Sequence, residues 1–205
     1  MPNQESLKDV PTGDLARELG SRPDLFLGGG RLLVHPVFKL REQLGPISCV
    51  DGVPARVHAG RVELMVIRRG TGPCASKLAL VGGVIGMGES VEGALRRHFS
   101  SDLGVKIDLL TPIESPSVVA QYSREPREGF LPEPGRDHCI GLTFLVALLD
   151  DSFVFGETEH GGQEVVGVHW FAETDMPVWS EFGYGQDSVC RSIFPIARRL
   201  LLGRR

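Results

Sequence analysis

Residues 82–105 read GGVIGMGESVEGALRRHFSSDLGV. The pair Gly82-Gly83 lets the backbone turn tightly and leaves a carbonyl able to face a ligand. Beyond it, Val91, Ala94, Leu95, Phe99 and Leu103 recur at helical spacing. Ser90 is placed to cap that helix, and Gly104 to end it in a left-handed conformation. Glu89 stands at the loop–helix junction and Arg97 farther along the helix, so a buried pair between them would pin loop to helix. His98, Ser101 and Asp102 follow i, i+3, i+4 spacing and share one helix face, which can look back at the glycine pair. A carbonyl with carboxylates in such a pocket suits a hard divalent cation such as Mg²⁺, bridged to substrate phosphates.

Outward from this stretch the pattern is strand-like. CVDGVPARV and RVELMVIRR are rich in β-branched residues, and HAG between them signals a hairpin turn. LALVGGVIG is apolar and broken by glycine. Downstream, SVVAQYS, CIGLTFLVALL and VVGVHWF predict strands, and the polar loop REPREGFLPEPGRD lies between the first two. DSVCRSIFPIARRLLL predicts a closing helix, kinked at Pro195. The sum is an α+β domain, a mixed sheet with helices packed on it, over residues 46–205. Residues 1–45 read as an N-terminal extension, with a short helix at Asp14–Leu19 and an apolar run RLLVHPVFKL. That run needs a cover. Folding back on its own domain would supply one, and a homodimer would serve equally.

The chain has 205 residues, 41% hydrophobic and 23% charged, which is ordinary for a soluble domain with a sizeable core. A net charge near −4 gives no broad nucleic-acid-binding face. No apolar stretch is long enough to span a bilayer, and the N-terminus lacks a basic region followed by an apolar run. The four cysteines are scattered without a CxxC pair, so a structural zinc site is not expected. A cytoplasmic location with reduced thiols is the expectation.

The opening stretch resembles the Nudix box, G-x5-E-x7-R-E-U-x-E-E-x-G-U, where U is bulky and apolar. Gly83, Glu89, Arg97, Phe99, Gly104 and Val105 fall in register. The box is degenerate: His98 stands at its first helical glutamate, Ser101 at the second and Asp102 at the third. Ordinary Nudix pyrophosphohydrolases use those glutamates to hold Mg²⁺ and activate water. The GDP-mannose mannosyl hydrolase branch lacks the first two and keeps the last acidic position. Glu63 to Val105 is similar to that branch without a gap. Upstream PISCVD and downstream DHCIGLTFLV and EVVGVHWF are similar as well. Three departures stand out: Val84 where the branch has arginine, Val81 where it has proline, and Leu78-Ala79 where aromatics are usual.

The resemblance implies a Nudix fold, a mixed β-sheet sandwiched between α-helices. It also implies a Mg²⁺-dependent (or Mn²⁺-dependent) hydrolase of a nucleoside diphosphate sugar, releasing free sugar. Gly83 would give a carbonyl to the metal, and Asp102 would be its helical ligand. Glu164 would serve as metal ligand or base, and His98 as a ligand for a softer ion or as an ordinary hydrogen-bonded histidine. Glu89 with Arg97 would brace the loop. Arg69 would contact phosphate and Asp51 the sugar, while His160 is the candidate general base. Arg68 and Arg69 alternate on a strand, so one faces the pocket and the other solvent. An ordinary nucleoside-diphosphate-X pyrophosphatase and a non-catalytic nucleotide- or protein-binding module are the alternatives. Neither nucleic acid nor membrane is expected as a partner.

Overall fold

The computed structural model describes residues 26–27, 32–33, 45–125, 128–134, 138–156 and 163–203. His160, the Asp14–Leu19 helix and most of RLLVHPVFKL lie outside the described residues. Within the extension, β1 (Phe26–Leu27) pairs antiparallel with β2 (Leu32–Leu33).

The domain begins with β3 (Ile47–His58) and β4 (Arg61–Arg69), joined as a hairpin. Its turn residues Ala59 and Gly60 are both left-handed, with φ 48° and 76°. That is the geometry a two-residue hairpin loop requires. Next come β5 (Leu78–Ala79), β6 (Val81–Val84) and helix α1 (Val91–Leu103). Four strands follow: β7 (Ile107–Leu109), β8 (Val118–Ser123), β9 (Leu131–Pro132) and β10 (Cys139–Leu148). β11 (Val165–Ala172), two 3₁₀ turns (Glu173–Asp175 and Trp179–Glu181) and helix α2 (Asp187–Leu201) complete the order.

Strands β3 to β11 form one mixed sheet ordered β11-β4-β3-β10-β8-β9, with β5 on β4, β6 on β3 and β7 on β10, separate from the β1–β2 pair. β3 is its axis. Ile47 to Pro54 run parallel to β10, with β6 antiparallel on the other flank, and Ala55 to His58 pair antiparallel with β4. Side chains alternate across the sheet. Val50, Met65, Ile67, Val81 and Phe144 meet Leu95, Phe99 and Leu103 of α1. Val53, Leu64, Val66 and Leu145 meet Ile193, Phe194 and Ala197 of α2. Both faces are covered, and that is why β10 and the middle of β4, Leu64 to Ile67, read as nearly unbroken apolar runs. The layered α+β architecture expected from the pattern is the one observed.

Two local features place α1. Ser90 Oγ accepts from the Gly93 N–H at 3.0 Å, and Gly104, at φ 70°, donates its N–H to Ser100 O. Gly52 lies under the helix, where a Cβ would come within 2.4 Å of Phe99 Cε2. The strand must be bare at that point for Phe99 to seat. α2 continues through Pro195, held by its buried face of Val189, Cys190, Ile193, Phe194 and Ala197. Among the described residues no helix is long and apolar enough to cross a membrane.

Candidate active site

The segment of residues 82–105 is tied together by one buried ion pair. Arg97 Nε donates to Glu89 Oε1 and Nη2 to Glu89 Oε2, each at 2.8 Å. Nη2 also donates to Val84 O at 3.0 Å, and the Gly86 N–H donates to Glu89 Oε2 at 2.9 Å. The Glu89 side chain is 1% exposed. Its hydrogen bond, ahead of the opposing effect of burial, raises the Arg97 pKa. Two parallel charge-assisted bonds make this the strongest polar contact of the loop.

His98 lies flat against β6. A Cβ at Gly83 would stand 2.8 Å from His98 Cε1, so this position takes glycine for the sake of close approach. His98 Nε2 is 3.2 Å from Val84 O, which assigns its proton to that nitrogen. Burial first, and the Arg97 charge second, pull its pKa down to about 4. The imidazole is therefore neutral at pH 7, and its 3.9 Å approach to Asp102 Oδ2 is no ion pair there. Asp102 accepts from Ser101 Oγ at 2.6 Å. Burial pushes its pKa up to about 6 against that hydrogen bond. The Glu164 charge adds to the rise, and Arg97 and Arg69 oppose it.

Arg69 ends β4 on the α1 side. Its Nη2 is 3.1 Å from Glu164 Oε1, and its guanidinium carbon lies 5.7 Å from the Tyr184 ring centroid. The chain brings Glu164 there by two devices. The β4–β11 register shifts between Val165 and Gly167, a bulge that re-aims the strand start. Gly70, whose Cβ would meet Gln163 O at 2.2 Å, lets the two backbones touch, and its N–H donates to Glu164 O at 2.8 Å. Arg68 points to the other face, where it meets Glu181 at 3.6 Å and Ser76 O at 2.8 Å.

Asp102, His98, Glu164, Arg69 and Arg97 thus share one electrostatic neighbourhood. Asp51 does not join it. It pairs with Gly82 in register, next to the Val50–Gly83 pair that faces α1. Its carboxylate turns instead toward the α2 face, beside Tyr122, whose pKa is raised by burial and then by the Asp51 charge. The sheet stands between Asp51 and Asp102.

Among the described residues the donors do not form a closed, all-protein metal cage. Among the described residues no three His, Cys, Asp or Glu side chains converge on a point that could hold a metal ion. Of the set Gly83, Asp102, Glu164 and His98, the histidine Nε2 is spent on Val84 O and Glu164 is paired with Arg69. Sequence reasoning missed Tyr184. The signal was FGYGQ, an aromatic between two glycines, which marks a backbone turn that favours left-handed residues.

The chain matches the model of the family described as a domain of unknown function, DUF4916, over residues 29–197. No curated protein matches it. Among solved structures it is similar to a possible asymmetric diadenosine tetraphosphate hydrolase of Jonesia denitrificans. The two are 27% identical with a TM-score of 0.60, covering 77% of this chain and 98% of that one. A MutT Nudix hydrolase of Burkholderia pseudomallei matches at 21% identity and a TM-score of 0.52, over 73% of this chain and 98% of that one. The Nudix domain of Shewanella oneidensis NrtR, solved with ADP-ribose, matches at 15% and 0.51, over 72% and 86%. The mixed sheet between two helices is the fold these structures share, so the chain belongs to the DUF4916 family and has the Nudix fold.

Proposed function

We propose that this protein is a hydrolase of nucleoside diphosphates esterified to a second group, with a sugar as that group. The observation that carries the reading is the placement of Arg69, paired with Glu164 at the end of β4, beside the Asp102 face of helix α1, whose preceding loop is braced by Glu89 and Arg97. Arg69 supplies a fixed cation for a diphosphate. The possible Jonesia hydrolase is named for diadenosine tetraphosphate and the NrtR domain was solved with ADP-ribose, both ligands of this chemical class, which supports the choice. Because the described donors do not form a closed metal cage, the substrate would bind as its Mg²⁺ or Mn²⁺ salt, with Asp102 and Glu164 the carboxylates nearest the ion.

The loss of the glutamate cluster argues for attack at the sugar carbon. Water would form a bond to the anomeric carbon and lose its proton to a base. The bond from that carbon to the diphosphate oxygen would break, and the nucleoside diphosphate would leave with the electron pair against Arg69. His160 remains the candidate base. Asp51 is proposed to contact substrate only from the α2 side of the sheet.

A second reading, ligand binding without turnover, is favoured by His98, which seals the glycine loop with a neutral ring. A turnover screen in labelled water separates the routes. Purified protein with Mg²⁺ or Mn²⁺ meets GDP-mannose, ADP-ribose and diadenosine tetraphosphate, and products are resolved by mass. Label on free sugar is the expected outcome. Label on phosphate with nucleoside monophosphate would replace the carbon route by ordinary pyrophosphatase chemistry. Measurable binding with no product would establish the second reading.

A further inference from the structure

Tyr184 has a φ of 58°, in the left-handed region. A bulky aromatic is costly there, and glycine would be free of that cost. Its neighbours are Gly183 and Gly185. A Cβ at Gly183 would meet Cys74 Cβ at 2.7 Å, and one at Gly185 would meet Pro132 Cδ at 3.0 Å. The Gly183 N–H donates to Leu78 O at 2.8 Å. The turn is therefore wedged between the segment before β5 and the β9 strand, and Tyr184 is the residue that keeps a side chain. Its hydroxyl donates to Pro73 O at 2.9 Å, and its ring lies under the Arg69 guanidinium.

Arg69 carries a second cost. Its Nε is buried and has no hydrogen-bond partner among the described residues, while Nη2 is paired with Glu164. A free arginine would turn to satisfy that donor in water or against a carbonyl. Both costs persist at the same contact, and such coincidences mark places where position matters more than stability.

We infer that Tyr184 is a positioning residue: its ring holds the Arg69 guanidinium in place for the diphosphate of the substrate. The inference rests on the reading of Arg69 as the diphosphate contact. The Tyr184 ring acts through its π-face, and the wedged turn between Gly183 and Gly185 holds the ring in place.

Tyr184→Phe and Tyr184→Leu test this as a pair. Both lose the bond to Pro73, both are apolar and both bear the same backbone strain, but only Phe keeps the ring. Affinity for ADP-ribose and GDP-mannose is measured by calorimetry on wild type and both variants, alongside thermal unfolding. Phe is expected to bind within about twofold of wild type, and Leu roughly threefold to tenfold more weakly, the span of a partly desolvated cation–π contact. Equal binding by Leu and Phe overturns the inference and leaves Arg69 as the diphosphate contact. A loss in Phe as large as in Leu also overturns it, because the hydroxyl would then be the active part. Failure of wild type to bind either ligand overturns the site reading and the inference together. Should Leu not fold, the Arg69 Nε–Hε NMR signal of wild type, identified by its loss in Arg69→Lys, decides the matter. A ring-shifted signal retained in Phe supports the inference, and an unshifted one overturns it.

Discussion

Asp102 and His98 are neighbours on one helix face with opposite responses to burial. The Asp102 carboxyl rises from 3.8 to about 6 in the folded chain. Its charged form therefore costs stability above that value, and the cost fades as pH falls toward 3.8. The His98 imidazole drops from 6.5 to about 4. Its stabilising effect is fully present above 6.5 and is lost as pH falls toward 4. In wild type the two partly cancel in this window. Asp102→Asn removes the costly charge and should stabilise the protein at pH 7 by on the order of 2 kcal/mol while lowering turnover. Its stability should then fall more steeply than that of wild type between about pH 6 and 4, because only the histidine still titrates. Urea unfolding at several pH values reads both effects, and an Asn variant less stable at pH 7 would contradict the burial argument. Glu89→Gln leaves a partly buried Arg97 without its carboxylate and should cost about 3–5 kcal/mol. Only a small change in denaturation midpoint would mean that the pair is not what pins the loop.

At the scale of elements, α1 is positioned by glycines on the strands beneath it. Gly52→Ala would drive a methyl into the Phe99 ring and should destabilise the fold by about 1–3 kcal/mol, read as a lowered melting temperature. Gly83→Ala acts at the site: it displaces the His98 ring and breaks its bond to Val84. A histidine NMR signal that loses its low pKa in this variant, moving back toward 6.5, is the expected result. An unchanged titration would show that the ring is held by something other than the β6 contact. Most elements were legible from pattern. The Ser90 cap, the Gly104 stop and the helix between them follow from local chemistry and are all present. β7 and β9, of three and two residues, were missed because so short a strand has no period to read. They exist because β10 and β8 offer them an edge.

Across the whole molecule, the sheet separates two chemical environments. The α1 side gathers Asp102, His98, Glu164 and Arg69, and the α2 side holds Asp51 and Tyr122. With no three-ligand cluster among the described residues, free Mn²⁺ should bind the protein weakly in calorimetry, and more tightly once a nucleoside diphosphate is present. Tight binding of the ion alone would refute the donor geometry set out above.

The sequence by itself determined the capped helix, the alternating strands and the Glu89–Arg97 pair, because each depends on residues close together in the chain. Tertiary structure alone decided which side of the sheet each side chain serves. It placed Arg69 rather than Arg68 beside the helix, turned Asp51 away from Asp102, and brought Tyr184 under a guanidinium more than a hundred residues upstream. Strand parity sets the first two outcomes once the register is known, and the register is a property of pairings between strands distant in sequence; the third depends on how a turn outside the sheet packs against it.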